Sequence, residues 1–551
     1  MRSKIKKVLL VNPPVSIYVN KTAFLPLPLL ILGRCLRAVR EDGTDFAHEV
    51  IDLDLLLKRG FLNDDESFYR QSSDLILSKN PDLLLLTIHG VNHVVVLKLS
   101  EIIKRQQPSC AIVVGGVGPT LMAPLALGRC ENIDIIVRGE GEPVIGPLVR
   151  TLLQKGNLSS VPSIVYRKGT AIVETEVVPL RGDFSIPFPD YSLVRVDDYI
   201  EHNKAHPYVD PGFVIVESGR GCRHGCAFCA PSKMWHRTAR YRDIPEVLEE
   251  MKFLAAKGGD FTFFTQDNVE EGFLISLSEA LLKEDLRIRW GCYSRLDQLH
   301  EATADLLSEA GCCLIFTGFE TPNPKVQRTI RKVIDSSALF RKLQAFNAKR
   351  ISFIGSFMAG FPGEKEEDVD ATMRLALECA AGTEFEPLRS FVKETTQDKL
   401  PLKGANICQI HPLAYMPGTD SFSAGGSALH ISRYSLQADC YGSFIFGHDQ
   451  FKDDWSFLGL NPYLNHLPEE KVRFYCSVLR LFNFFNSRPY YLALLLSRFG
   501  QSPLGLMRAV AARLGDEFVL TARIEDFEAQ CRSYAAEYLA FVPEWTVKKG
   551  Q

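Results

Sequence analysis

Apolar strand-like runs alternate with helical stretches twice along this chain, with a break between the two series. No other feature restricts the fold so strongly. In residues 1–150, "KVLLVNPP" reads as a buried strand ending in a Pro-Pro loop. "LPLLILGRCLRAVRED" follows with Leu29, Leu32, Leu36 and Val39 at helical spacing, then "HEVIDLD" as a second strand. "PDLLLLTI" is a third strand, "HVVVLKLSEIIKRQQ" a helix, and "AIVVGGVGPT" a fourth strand running into a glycine loop; "IDIIVRGEGE" closes the series. Strand and helix taking turns predict a doubly wound parallel sheet that receives ligands at the strands' carboxyl ends. At those ends lie Asn12 and Pro13, Thr87, Gly115 and Gly116 with Thr120, and Gly139-Glu140-Gly141-Glu142.

The second series occupies residues 206–420. Strands are expected at "GFVIVES", "FTFFT", "RIRWGCYS", "CLIFTGFE", "ISFIGSFMAGFP" and "NICQIHPLAY". In the helical stretch "DIPEVLEEMKFLAAKGG", Ile244, Val247, Leu248, Met251 and Leu254 share one face, and Gly258-Gly259 ends it. Six strands with helices between them predict a partial (β/α)6 barrel, whose active mouth lies at the carboxyl ends. Residues 151–205 read as a linker, with "SIVYRKGTAIVETE" a hairpin about Lys168-Gly169 and "FSIPFPDYS" an extended crossing segment. Residues 421–551 lose the alternation. Their Phe, Leu and Tyr content, as in "VRFYCSVLRLFNFFNSRPYYLALLLSRF", predicts a mainly helical cap. The expected class is α/β throughout the first two series.

The totals agree. A chain of 551 residues exceeds what one core supports, about 250–300 residues. A formal net charge of -3 gives no global pull toward nucleic acid or anionic lipid. No apolar run reaches the roughly 18 residues of a membrane helix, and "FLPLPLLILG" is short and broken twice by proline. The basic start "MRSKIKKVLLVNPP" has too brief an apolar run for a signal peptide and lacks a cleavage site, so it fits a first strand and a cytoplasmic protein. Fourteen cysteines in such a chain are expected to be reduced thiols or metal ligands. Cys35, Cys130, Cys379 and Cys440 are scattered and read as small buried residues.

Three cysteines are not scattered. "GRGCRHGCAFCAPS" holds Cys222, Cys226 and Cys229 with the spacing C-x3-C-x2-C, directly after the first barrel strand. Three thiolates hold a [4Fe–4S] cluster at three irons and leave the fourth open, whereas four would saturate it. The open iron can chelate an amine and a carboxylate together. S-adenosylmethionine (SAM) offers both, and an electron from the cluster then cleaves its sulfonium to a 5'-deoxyadenosyl radical. Zinc is the competing reading, but zinc sites mostly come as two separated pairs. No second C-x2-C is present, and His224 stands too close to Cys222 to serve the same ion well.

This trio, with Phe228 before its last cysteine, resembles the radical SAM superfamily. "FTGFET" places Glu320 where the cobalamin-associated branch has a Gly-x-Glu segment near SAM. "GSFMAGFPGEKEED" is similar to that branch's Gly-x-Pro-Gly-Glu turn, and "HPLAYMPGTD" to its later "PGT" segment. In "TQDN", Asp267 matches one of the branch's paired aspartates and Asn268 departs from the other. Ahead of this core, "VNPP", "PLPLLILGRCLR", "GGVGPT" and "RGEGE" resemble, in order, the Rossmann-like cobalamin-binding domain of cobalamin-dependent radical SAM enzymes. The resemblance covers residues 1–420. It implies Asn12, Pro13, Thr87, Gly115, Gly116, Thr120, Gly139, Glu140, Gly141 and Glu142 as cobalamin contacts, and Asp267, Ser294, Arg295 and Glu320 as SAM contacts. Two departures stand out. The first loop, "NPPVSIY", offers no axial histidine, and Val117-Gly118-Pro119 follow Gly116 where family members often show a histidine. His89 and His93, near the third strand's end, are open to either solvent or a corrin.

The resemblance implies a radical C-methyltransferase, in which one SAM methylates Co(I) and a second yields the radical that activates a substrate carbon. A rearrangement, ring contraction or oxidative cyclisation with the same cofactors is the alternative. A tRNA methylthiotransferase would need three clustered cysteines in the first domain, and Cys35, Cys110 and Cys130 do not share its strand-end loops. Its RNA-binding tail would also be basic and studded with aromatics, which this one is not. A non-catalytic sensor is opposed by the open iron. The expected partners are a small-molecule or natural-product substrate and a flavodoxin or ferredoxin reductant, with no nucleic acid.

Overall fold

A computed structural model of the chain describes residues 6–14, 22–63, 65, 67–88, 92–178, 186–205, 212–361, 364–381, 406–413 and 419–421. The cap expected beyond residue 421 lies outside the described residues. So does His89, as does the side chain of His93.

The first series forms β1 (Lys7–Asn12), β2 (Ala47–Asp52), β3 (Leu83–Thr87), β4 (Ala111–Gly115) and β5 (Ile135–Val137). They lie in the order β2-β1-β3-β4-β5, each parallel to its neighbour. Helices α1 (Leu27–Glu41), α2 (Leu53–Lys58), α3 (Ser67–Ser78), α4 (His93–Gln106), α5 (Val117–Arg129) and α6 (Glu142–Leu153) connect them. The strand period of two sorts the side chains between two cores. Val8, Leu10, Leu83 and Leu85 pack with Leu36 and Val39 of α1 and Val144 and Leu148 of α6. Leu9, Val11, Leu84 and Leu86 pack with Phe68 and Ile76 of α3 and Val96 and Leu99 of α4. Burial on both faces explains why β1 and β3 read as unbroken apolar runs. The strand order reverses between β1 and β3, the switch point at which such sheets take ligands.

The expected hairpin forms as β6 (Ile164–Lys168) and β7 (Ala171–Glu174), but it does not stand apart as a linker. β6 pairs antiparallel with β5 and extends the first sheet to seven strands. The reason is apolar: Val165 enters one core, while Ile164 and Tyr166 enter the other.

All six strands of the second series form: β8 (Phe213–Val216), β11 (Phe261–Phe264), β12 (Arg289–Tyr293), β13 (Cys312–Glu320), β14 (Ser352–Ala359) and β15 (Asn406–Pro412). β8, β11 and β12 pair in parallel in chain order, and β13, β14 and β15 do the same, as a parallel barrel requires. Along the chain between β8 and β11, a short separate antiparallel ribbon forms that the sequence does not predict, β9 (Gly219–Gly221) with β10 (Ala239–Tyr241). The helices here are α7 (Val196–Ala205), α8 (Ala230–Met234), α9 (Ile244–Ala256), α10 (Glu271–Lys283), α11 (Ala304–Glu309), α12 (Pro324–Thr329), α13 (Ser336–Ala348) and α14 (Glu366–Ala381). In α9, Val247, Leu248, Met251 and Leu254 are buried as expected, and Glu250 is buried beside them.

The described residues form two compact units. One runs to Tyr293 and includes Glu309–Gly311 and residues 419–421; the other holds Ser294–Ser308 and the residues from Cys312 to 413. Among the described residues no helix is long and apolar enough to cross a membrane.

Candidate cofactor site

The cysteine loop starts where β9 ends. Gly221 sits at φ +90°, and a Cβ there would lie 2.1 Å from the Thr238 carbonyl oxygen, so only glycine fits. Its N–H donates to Asp267 Oδ2 at 3.1 Å, which ties the loop's entry to the end of β11. Cys226 is buried, and Cys222 and Cys229 are half-buried. The Cys229 N–H donates to the Cys226 carbonyl at 3.2 Å, and Ser232 Oγ donates to the Cys229 carbonyl at 2.8 Å, closing the turn into α8. Burial pushes the Cys229 thiol up to about 12, and charges on Cys226, Asp267 and Cys222 add to the rise. Cys229 therefore lies within electrostatic reach of both Cys222 and Cys226.

That donor set fits an iron–sulfur cluster. Cys222, Cys226 and Cys229 all come from one short loop whose entry Asp267 ties down. A single zinc needs its ligands to converge on one point, whereas a cluster takes them at separate corners. Thiolates are also the ligands that iron–sulfur cubes require.

At the first sheet's carboxyl ends the predicted contacts gather, but not all of them face outward. Asn12 and Pro13 are buried; Asn12 Nδ2 donates to Asp52 Oδ1 at 2.9 Å. Asp52 also accepts from the Tyr199 hydroxyl at 2.7 Å and caps α2, and burial pushes its carboxyl up to about 6. Thr87 is buried, and its carbonyl accepts from Asn92 Nδ2. Gly115 ends β4, and Gly116 follows at φ +117° with its Cβ direction blocked by the Ile88 carbonyl oxygen at 2.2 Å. Thr120 joins two loops: its hydroxyl donates to the Gly116 carbonyl at 2.6 Å and accepts from the Gly139 N–H at 3.0 Å. Gly139, at φ +74°, has open space where a side chain would be. Backbone freed of side chains by glycines at the carboxyl ends of β4 and β5 is a cradle that suits a large polar cofactor such as cobalamin.

Glu140 and Glu142 behave differently. Their carboxylates pair with Arg220 at 2.9 and 2.6 Å, and Glu140 also pairs with Arg240. Gly141 caps α6 against Leu32.

Gly116→Ala is expected to destabilise this loop by about 1–3 kcal/mol, the usual cost of backbone strain, and to lower cobalt retention after reconstitution. Metal analysis and thermal melting check both. A variant that keeps full cobalt would remove the Gly116 turn from the candidate site.

The other predicted SAM contacts lie in the second unit. Ser294 is buried, its N–H donating to the Phe316 carbonyl at 3.0 Å and its hydroxyl accepting from Gln298 Nε2 at 3.1 Å. Arg295 forks onto Asp297 at 3.0 and 2.6 Å, which holds that carboxyl below its usual range although burial opposes it. Glu320 pairs with Lys332 at 2.7 Å, both nearly buried, and has φ +61°, which is unusual for a glutamate. The Gly-x-Pro-Gly-Glu turn ends on Glu364, which accepts from the Gly360 and Phe361 N–H groups at 2.7 and 2.9 Å; burial pushes its carboxyl up to about 7. Pro362 and Gly363 of that turn lie outside the described residues.

On β8, β11 and β12, one face buries Val214, Phe264, Trp290 and Cys292. The other carries Phe213, Phe263 and Tyr293, with successive ring centroids 6.4 and 5.0 Å apart. The sequence reading missed Arg220, Arg240, Lys332 and Asp52, all now seen to hold predicted residues. The one available signal was Arg220 itself, a charge set between two glycines just before the trio.

Residues 216–376 match the radical SAM superfamily and residues 25–148 match the B12 binding domain. The chain belongs to the cobalamin-dependent radical SAM enzymes. As in that family, its cofactors are a [4Fe–4S] cluster, SAM and cobalamin. Among curated relatives of this cobalamin-dependent radical SAM enzyme, an uncharacterized methyltransferase of Pyrococcus horikoshii is 27% identical over 381 residues, covering 68% of this chain and 78% of that protein. The anaerobic magnesium-protoporphyrin IX monomethyl ester cyclase of Synechocystis is also 27% identical, over 373 residues, covering 66% and 70%. The fold is shared with the cobalamin-dependent SAM radical enzyme OxsB, solved with aqua-cobalamin and SAM bound. There the TM-score is 0.63 at 14% identity, covering 100% of this chain and 82% of that one.

Proposed function

We propose that this enzyme is a C-methyltransferase that moves a methyl group from methylcobalamin to an unactivated carbon of a small-molecule or natural-product substrate. The observation that carries the reading is that the glycine-lined strand ends and the three-cysteine loop belong to one compact unit, tied by buried ion pairs. An enzyme that must act on one carbon with two reactive centres needs that proximity. When bound, the cluster with SAM supplies a hydrogen-abstracting 5'-deoxyadenosyl radical, and cobalamin supplies the methyl group. Cys222, Cys226 and Cys229 would hold the cluster. Gly115, Gly116, Thr120 and Gly139 would cradle cobalamin through their backbone, with Asn12, Pro13 and Thr87 shaping the neighbouring strand ends. Ser294, Arg295 and Glu320 would bind SAM, while Asp267 steadies the cysteine loop. The aromatic face of Phe213, Phe263 and Tyr293 suits an apolar substrate. A flavodoxin or ferredoxin in a reducing cytoplasm would supply the electron.

A cyclisation or rearrangement would use the same residues, and the resemblance to the Synechocystis cyclase favours keeping it as the second reading. The deciding experiment reconstitutes the chain anaerobically with iron, sulfide and hydroxocobalamin, then adds SAM and reductant. A methyltransferase consumes SAM in two ways, so S-adenosylhomocysteine is expected alongside 5'-deoxyadenosine. 5'-Deoxyadenosine alone, with cobalt retained, would move the cyclase reading to the front.

A further inference from the structure

Between the β5 loop and the cysteine loop lies a group of buried charges that pair with one another. The Arg220 guanidinium forks onto Glu217, Nε to Oε1 at 2.8 Å and Nη2 to Oε2 at 2.9 Å. Its Nη1 donates to Glu140 Oε1 at 2.9 Å, and Nη2 reaches Glu142 Oε1 at 2.6 Å. Three carboxylates thus share one cation. The side chains of Arg220, Glu140 and Glu142 are each less than a tenth exposed. Arg240, which faces Arg220 across the β9–β10 ribbon, also donates to Glu140. Deeper in, Arg242 donates to the Glu217 carbonyl at 3.1 Å and to the Glu250 carboxylate.

Stability alone does not account for this arrangement. Removing charges from water costs about as much as their attraction returns, and apolar side chains of equal volume usually hold two surfaces as firmly. A planar guanidinium gripped from three sides supplies direction instead: its fork fixes angle and register where apolar contact tolerates sliding. The position matters because Arg220 stands two residues before Cys222, while Glu142 opens α6 directly after Gly139-Glu140-Gly141. One side chain therefore joins the entry of the cluster loop to the exit of β5.

We propose that Arg220 is a positioning residue that sets the distance and orientation of the cysteine loop relative to the β5 loop. It thereby sets how the cluster and cobalamin face each other. This rests on the two-cofactor reading. A shift of about 1 Å in such a pair can cost on the order of 100-fold in rate, so the device bears directly on turnover.

The test uses the reconstituted holoenzyme and two changes. Arg220→Lys keeps the charge but cannot fork. The set Arg220→Met with Glu140→Gln and Glu142→Gln removes Arg220 together with two of its three carboxylate partners, so a folding failure of the first variant does not close the question. Iron and cobalt content are measured first, then the magnetic dipolar coupling between the reduced cluster and cob(II)alamin by pulsed electron paramagnetic resonance. Arg220→Lys is expected to keep iron and cobalt at wild-type levels, and in the molecules of either variant that hold both cofactors the cluster–cobalt distance shifts or spreads by about 1 Å or more. An unchanged distance distribution with both cofactors in place overturns the proposal. So does loss of iron from both variants, which would make Arg220 a folding element of the cysteine loop. A wild-type chain that keeps iron but no cobalt sinks the two-cofactor reading itself, and this proposal with it.

Discussion

Cys226→Ser, reconstituted anaerobically with iron and sulfide, is expected to lose the cluster and to form no detectable 5'-deoxyadenosine from SAM. Cys226 is the most buried of the trio at 9% exposure, so water cannot readily replace its sulfur. A serine hydroxyl keeps its proton at neutral pH and is a hard donor where iron–sulfur cubes take soft thiolates. The loss in cluster content should exceed the roughly 10–100-fold that removing a supporting partner costs a metal site. Cys292→Ala is the matched control: Cys292 is fully buried on β12, outside the trio, and its variant should keep the iron. Iron analysis, the charge-transfer absorbance and the product assay report together. A Cys226→Ser chain with a full complement of iron and active SAM cleavage would mean that the three cysteines are not the ligand set.

Glu250→Ala should be the most destabilising single change in the first unit. Glu250 has no exposure, and Arg242, which donates to it, has 3%. The Tyr191 hydroxyl donates to the same carboxylate at 2.6 Å. Removing the acid leaves the buried guanidinium with only the Glu217 carbonyl at 3.1 Å and a distant Glu246 carboxylate at 3.9 Å, and breaking such a pair typically costs about 3–5 kcal/mol. The paired change Glu250→Leu with Arg242→Met removes both charges and should recover most of that loss, because the pair itself contributes little net stability. Denaturant unfolding of wild type, single and double variants separates the cases. If Glu250→Ala costs less than about 1 kcal/mol, the site admits water and behaves like a surface pair.

How much of this was legible beforehand differs from element to element. The core strands were plain because both faces of β1 and β3 are buried, which leaves unbroken apolar runs such as "LLLL". The cysteine trio was plain because its ligands must come from one short loop, so spacing alone carries the signal. The β9–β10 ribbon was not legible: strands of three residues each, one of them Gly-Arg-Gly, show no period. The hairpin is legible, but its alternation announces a turn and says nothing about which sheet edge receives it. Asn12, Glu140 and Glu142 stand out in the sequence as polar groups at strand ends, and Arg295 and Glu320 through the family resemblance. The structure shows each engaged with a charged or polar neighbour of this chain, and strand-end position cannot reveal such partners.

By itself, the sequence determined what local pattern can encode: two alternating series, an open-sided set of three thiols, and glycines where a loop must bend to positive φ. Tertiary structure alone decided which charges meet. Arg220 finds Glu140 across 80 residues, Arg240 finds the same acid across 100, and Tyr199 finds Asp52 across 147. Periodicity reports only a residue's own element, whereas a buried charge is settled by whatever opposite charge the folded chain brings within hydrogen-bond reach.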